Sequence, residues 1–325
     1  MLIWIGFLLF ILLLLAIDLG LLNKEAHVIS TREALRWTTL WVSVSLLFGI
    51  AVYFMYERGF QPSELSGENA VLKYLTGYLV ELSLSMDNIF VIAVIFNYFN
   101  IPARFQHRVL FWGILGAVFF RGLMITIGVV LIHQFDWIIY VFAAFLLYSA
   151  FKMLSTGESV HPSRNPVINW VRRFFPVTKD FEGQHFFVRK RHIKAATPLF
   201  VALMVIETTD IMFAFDSIPA ILAITTDPFL VFSSNIFAIL GLRSMYFVLA
   251  SMLEKFYYLK YSLVGILFFV GIKMLLHQLV EWPEWVSLAV IVLFLGSGIG
   301  VSLYQDRRVE PATAESDGPD SRGDA

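Results

Sequence analysis

Glu207-Thr208-Thr209-Asp210-Ile211-Met212-Phe213-Ala214-Phe215-Asp216-Ser217-Ile218-Pro219 sets three carboxylates and a proline inside a hydrophobic run, residues 198–226, long enough to cross a membrane. An ionised carboxylate at the centre of a bilayer costs about 2.5–3.5 kcal/mol on insertion scales, so an acid there needs a cation, a proton or a partner. Three on one segment need a shared explanation. The rest of the chain has the same character: of its 325 residues 58% are hydrophobic and only 15% charged, with a mean hydropathy of +0.74. Soluble domains carry about 25% charged residues. The chain reads as an all-α, polytopic membrane protein.

Working outward, apolar runs of about 20 residues, the length that spans ~30 Å of hydrocarbon, fall near 2–22, 38–56, 71–99, 109–132, 136–154, 198–226, 229–252, 261–278 and 285–304. That predicts nine spans. The odd-numbered loops hold nearly all the Lys and Arg: Lys24, Arg32 and Arg36; Arg104 and Arg108; the 155–197 stretch; Lys255 and Lys260. The even-numbered loops have Arg58 and little else. By the positive-inside rule the N-terminus lies outside and the C-terminus, with Arg307 and Arg308, in the cytoplasm. Met1–Leu22 has no positive n-region and no small-residue cleavage site, so it reads as a retained helix. There are no cysteines, which excludes disulfides, thiolate metal sites and thiol chemistry. The net charge of -1 hides charges segregated by loop and implies no nucleic-acid partner.

The expected organisation is two N-terminal helices in 1–60, a three-helix unit in 71–154, a basic cytoplasmic loop in 155–197, a second three-helix unit in 198–278, a last span in 285–304 and a disordered tail in 305–325. The basic loop interleaves aromatic and cationic residues, as in Trp170-Val171-Arg172-Arg173-Phe174-Phe175. It reads as an interfacial segment that holds the charge bias, with binding of lipid headgroups or a partner as the other reading.

The two units resemble each other. Glu81-Leu82-Ser83-Leu84-Ser85-Met86-Asp87-Asn88-Ile89 and Asp210-Ile211-Met212-Phe213-Ala214-Phe215-Asp216-Ser217-Ile218 both read acid, five residues, Asp, small polar, Ile. The next span in each carries an arginine, Arg121 or Arg243, after Ile114-Leu115-Gly116 or Ile239-Leu240-Gly241. The span after that ends Ala150-Phe151-Lys152-Met153-Leu154 or Gly271-Ile272-Lys273-Met274-Leu275. Three matches in one order make a repeat. Three helices is an odd number, so the second copy enters the membrane from the opposite side, the inverted repeat of many transporters.

Taking about 100° per residue, Glu81 and Asn88 share a face, as do Asp210 and Ser217, while the Asp at spacing six points about 120° away. Glu207 and Asp210 are neighbours one turn apart. Two arrangements follow. Asp87 and Asp216 pair with Arg121 and Arg243 on the next helices, or the helix unwinds and the acids converge, which Pro219 favours because it cannot donate to the carbonyl of Phe215. The set Glu81, Asp87, Asn88, Glu207, Asp210 and Asp216, with Ser85 and Ser217 nearby, offers oxygen only. Such donors suit Mn²⁺, Mg²⁺ or Ca²⁺. Met86 and Met212 adjoin the acids, but methionines at helical spacing are usually packing. Ion pairing alone would account for two acids and leave Glu81, Glu207 and Asp210 unmatched. Asp18 near one end of the first run reads as hydrated, and Lys152 and Lys273 sit at helix ends, where snorkelling suffices.

The segments Tyr78-Leu79-Val80-Glu81 through Asp87-Asn88, Phe186-Phe187-Val188-Arg189, Phe213-Ala214-Phe215-Asp216-Ser217-Ile218-Pro219-Ala220 and Phe237-Ala238-Ile239-Leu240-Gly241-Leu242-Arg243 are similar to the TerC family of integral membrane proteins, and within it to bacterial manganese exporters. That resemblance covers about residues 10–304. It implies Mn²⁺ export across the bacterial inner membrane, inverted three-helix repeats, and a functional acidic set at Glu81, Asp87, Asn88, Glu207, Asp210 and Asp216. Tellurite is not implied, since an acid-lined path repels an oxyanion.

The expectation is therefore a secondary exporter of a divalent cation, Mn²⁺ first, working by alternating access. Its partners are the metal as substrate and the lipid bilayer, with no resident cofactor. Protons compete with metal at carboxylates, so coupling to H⁺ needs no extra machinery. Arg121 and Arg243, with Ser217, would balance charge between cargoes. The contrasting expectation is a membrane scaffold or assembly factor whose acidic helices only pack. An enzyme is not expected, because no Ser/His/Cys constellation or HExxH is present.

Overall fold

The computed structural model describes residues 2–20, 30–61, 63–155, 166–178, 181–190, 193–249, 259–280 and 282–314. In chain order the helices are α1 (Leu2–Gly20), α2 (Thr31–Glu57), α3 (Gly67–Tyr98), α4 (Ala103–Gln134), α5 (Ile138–Ser155) and the short α6 (Pro166–Phe174). A two-stranded antiparallel hairpin follows, β1 (Phe187–Lys190) and β2 (Ile193–Ala196), with Phe187 opposite Ala196. Then come α7 (Pro198–Leu222), α8 (Pro228–Leu249), α9 (Leu259–Leu275) and α10 (Glu284–Ala314).

Local chemistry sets the helix ends. Ser30 and Ser66 accept from the backbone N–H groups of Glu33 and Asn69, each at 3.3 Å, and start α2 and α3. Glu57, at the end of α2, accepts from the N–H of Gly67 at 3.1 Å, which places an anion on the positive end of α3 and ties the two helices. α3 stops where Asn100 turns left-handed at φ 49°, with the N–H of Ile101 bonded to the carbonyl of Phe96 at 2.9 Å, and Pro102 follows.

Among the described residues seven helices are long and apolar enough to cross a membrane: α2, α3, α4, α5, α7, α8 and the first nineteen residues of α10, Glu284–Ser302. The other two expected spans fall just short among the described residues. The apolar part of α1 is Ile3–Ile17, and α9 has 17 residues, about 25 Å at 1.5 Å per residue. α10 continues helically to Ala314, ten residues beyond the expected end of the last span. Residues 315–325 of the expected disordered tail lie outside the described residues, as do 156–165, 179–180 and 191–192 of the basic loop.

α8 is the hub. Its apolar window is 83% buried and that of α3 61%, against 17% for α5 and 22% for α2 and α10. A helix apolar all round suits such a central position. α3 packs on α8, α4 on α7, and α5 on α9, while α3 also meets α7 and α4 meets α8. α2 closes over α3 and α8, and α10 over α9 and α3. The basic loop contributes more structure than its sequence disclosed. Ile168 and Val171 of α6 are buried in the cluster that includes Leu199 and Val205 of α7, while Trp170 and Phe174 face outward.

α7 does not unwind at Pro219. The helix runs on to Leu222, and the carbonyl of Pro219 accepts from the N–H of Ala223 at 3.0 Å. The helix absorbs the one missing donor without breaking, as membrane helices often do at proline, so the second arrangement drawn from the sequence does not form.

Close approach of α9 and α10 depends on Gly265, where a Cβ would overlap the ring of Phe294. Gly265→Val should lower stability by about 1–3 kcal/mol through overpacking, measured as thermal unfolding of the purified protein in detergent.

Candidate functional site

Arg121 stands in the middle of α4, fully buried, and its guanidinium joins three helices. Nη1 donates to Oε1 of Glu81 on α3. On the other side Nη2 donates to Oδ1 of Asp210 on α7 at 2.8 Å, and Nε donates to Oδ2 of the same carboxylate at 3.2 Å, a bidentate fork. Nη1 also lies 3.3 Å from the hydroxyl of Ser217. Two supporting bonds complete the arrangement: Asn88 Nδ2 donates to Asp210 Oδ1 at 3.3 Å, and the Ser85 hydroxyl donates to Glu81 Oε1 at 3.3 Å. The faces drawn from helical spacing are therefore those observed, with Glu81 and Asn88 turned inward on α3 and Asp210 and Ser217 on α7.

The partners differ from one expected arrangement. Arg121 is held by Glu81 and Asp210 and not by Asp87. Asp216 accepts from the hydroxyl of Ser149 on α5 at 2.5 Å and does not pair with Arg243. Arg243 instead meets Nε2 of His107 on α4 at 3.1 Å. The reason is the regular helix: with α7 continuous, six residues turn Asp216 about 120° from Asp210, toward α5 instead of α4. Asp87 is half-buried on the corresponding face of α3. Met212 is 65% exposed on the outside of α7, so its thioether is turned away from the Arg121 cluster.

Glu207 lies one turn before Asp210, against the backbone of α4. A Cβ at Gly116 would overlap its carboxylate, so the glycine makes the notch in which the acid rests. The hydroxyls of Thr208 and Thr209 donate back to the carbonyls of Met204 and Val205 at 2.8 and 2.7 Å, so neither donates to the acids.

The site is unbalanced in charge and in hydrogen bonding. Two carboxylates, Glu81 and Asp210, share one guanidinium. Three buried oxygens have no donor: Glu81 Oε2, Asn88 Oδ1 and Glu207 Oε2. All three are acceptors, which a hydrogen-bond donor such as water, or a cation, would satisfy. Beside Asp210 and Asn88 a narrow cavity of about 30 Å³ runs toward the α3–α4 connection between Ile92, Ile95 and Leu110. It has room for a water molecule. Among the described residues no three His, Asp or Glu side chains are grouped to hold a metal ion. Spacing within a helix does not give Ser149 and Gly116 as neighbours of the acids, or His107 as the neighbour of Arg243, for each comes from a helix whose rotation it does not fix.

Gly116→Ala should push Glu207 out of its notch and cost about 1–3 kcal/mol of stability. Shortening the acid in Gly116→Ala/Glu207→Asp should recover part of the loss, so thermal unfolding of the two single variants and the double should be non-additive. Strict additivity would show that the two do not touch.

Residues 66–310 match the family described as "Integral membrane protein TerC family". An "Uncharacterized membrane protein STKORF319" of Myxococcus xanthus is 48% identical, over 97% of this chain and 96% of its own length. Proteins named "Putative membrane-bound redox modulator Alx" from Salmonella typhi and Escherichia coli K12 are 46% and 45% identical, over 89% of this chain and 90% of theirs. No solved structure matches. With a family match over both acidic helices and such relatives along nearly the whole length, this chain belongs to the TerC family of integral membrane proteins.

Proposed function

We propose that this chain is a secondary transporter that exports a divalent metal cation, Mn²⁺ first among them, by alternating access. The observation that carries the reading is Arg121, a permanent cation held between Glu81 of the first acidic helix and Asp210 of the second. In this reading the guanidinium stands where cargo binds and holds the carboxylates until a metal replaces it. The oxygens left without donors, Glu81 Oε2, Asn88 Oδ1 and Glu207 Oε2, are hard ligands of the kind Mn²⁺ takes. Asp87 and Asp216, turned to other faces, join only in another conformation of the cycle. Arg243, beside His107, would play the balancing part in the second copy.

Nine membrane helices belong to this reading, with α3–α5 and α7–α9 as inverted copies. Packing supports it. Exchanging the two triplets turns the α3–α8 contact into α7–α4, and leaves α5–α9, α3–α7 and α4–α8 as they are. A pseudo-two-fold axis would do the same. The N-terminus then lies outside the bacterial inner membrane and the C-terminus in the cytoplasm, with the cavity beside Asp210 reached from the cytoplasmic side. Competition of protons with metal at the same carboxylates makes H⁺ the coupling ion. The relatives' name speaks of redox modulation; with no cysteine, this chain has no thiol route to it.

One observation favours a second reading, a scaffold or assembly factor. Among the described residues no metal-sized group of ligands is assembled, and carboxylates bridged by arginine also hold helices together.

The readings separate in proteoliposomes containing purified protein. Wild type should carry Mn²⁺ faster under an imposed pH gradient. Asp210→Asn should lose about tenfold or more of that flux, the lower end of what even an outer-shell change costs a metal site. Undiminished flux in Asp210→Asn would sink the proposed site, and no flux in a folded wild type would favour the scaffold. Arg121→Gln should also impair transport, since the two carboxylates lose the cation that holds them between cargoes; unchanged flux would remove Arg121 from the mechanism.

A further inference from the structure

A second and larger cavity, about 380 Å³, opens at the end of the bundle opposite α6 and the hairpin. It lies where α4, α7 and α9 end and α5 and α10 begin, with Lys73 of α3 on its wall. Its polar lining is rich in donors. Lys73 Nζ stands 3.3 Å from Glu284 Oε1. Lys273 Nζ donates to the neutral hydroxyl of Ser287 at 2.8 Å. The indole Nε1 of Trp282 is buried with no hydrogen-bond partner, its ring fixed edge-on against Phe269. His277 and Thr226 also face the cavity.

Among the described residues that line the cavity, two ammonium groups face one carboxylate, an excess of one positive charge. An ammonium withdrawn from water needs a counter-charge, and an indole N–H, which can only donate, needs an acceptor. One anion supplies both. Apolar side chains, among them Ile132, Ile139 and Leu222, form other parts of the wall.

We propose that this cavity binds an oxyanion of the phosphate class, which accepts from Lys73, Lys273 and Trp282 while Glu284 keeps its bond to Lys73. The site is separate from the Arg121 cluster, and it stands or falls independently of metal transport. The same chemistry is offered by free inorganic phosphate and by the phosphodiester of an anionic lipid entering headgroup first.

The test uses the full chain purified in detergent and stripped of lipid. Thermal unfolding is followed with inorganic phosphate against chloride at equal ionic strength, and native mass spectrometry follows phosphatidylglycerol adducts. Lys273→Met keeps the approximate length of the side chain without its charge, Trp282→Phe removes the donor and keeps an aromatic ring, and Lys152→Met is a control outside the cavity. Wild type and the control should show stabilisation or adducts, and Lys273→Met should weaken binding about tenfold or more, the worth of one charge-assisted hydrogen bond. Stabilisation by phosphate without lipid adducts identifies a free anion. Adducts lost in both cavity variants, without a phosphate effect, identify a lipid. If Lys273→Met does not fold, the Trp282→Phe comparison decides by the same readouts. Binding unchanged in the cavity variants, or no binding by wild type, overturns the proposal.

Discussion

One buried guanidinium organises the centre of this protein. Arg121 is surrounded by hydrocarbon-facing helices, and removing such a charge from water is expensive, so its position is tolerable only where carboxylates meet it with good geometry. Glu81 and Asp210 do so from opposite sides. The consequence reaches beyond the three residues. α3, α4 and α7 must hold a rotation that aims all three inward, and those helices carry much of the remaining packing. Truncating one member of a buried pair costs about 3–5 kcal/mol because its partner is left charged and alone. Here the loss of the arginine would leave two carboxylates facing each other.

The two polar regions of the bundle are unbalanced in opposite senses. At the centre, acceptors exceed donors: the orphaned atoms are oxygens of Glu81, Asn88 and Glu207. At the end with the larger cavity, donors exceed acceptors among the described residues: Lys73 pairs with Glu284, Lys273 has only the hydroxyl of Ser287, and the orphan is an indole N–H. Packed interiors normally satisfy such groups, and a surplus of one type in one place defines what would complete it. A cation would complete the centre, and an anion the end with the larger cavity. Because these regions lie at different depths and draw on different residues, neither assignment supports the other.

Much of this was legible in the sequence, and the limits have a physical origin. Long apolar runs announce helices because each backbone polar group in a bilayer must be satisfied within its own segment. Spacing within one helix then fixes which side chains share a face, so Asp210 with Ser217 and Glu81 with Asn88 could be paired before any coordinates. Spacing does not fix how one helix is rotated against another. For that reason Arg121 could not be assigned to Glu81 and Asp210, nor Ser149 to Asp216, nor Gly116 to Glu207. The proline signal misled for a related reason: packing against neighbouring helices can hold a membrane helix together across a missing donor, and α7 continues through Pro219. α6 and the hairpin were hidden in a loop whose basic and aromatic residues dominated its reading, although Ile168 and Val171 are what anchor it.

The continuity of α7 through Pro219 has a mechanical consequence. Had the helix unwound, Asp210 and Asp216 would belong to separate pieces, free to find partners independently. Instead both ride on one rigid segment, Asp210 against Arg121 of α4 and Asp216 against Ser149 of α5. A shift of α7 that withdraws Asp210 from the guanidinium must also move Asp216 along α5, because packed helices slide or rotate as bodies and do not deform smoothly. The two carboxylates therefore change partners together. The proposed alternating access requires that release at one place be tied to rearrangement at another, and a regular helix with acids on two of its faces would supply the tie.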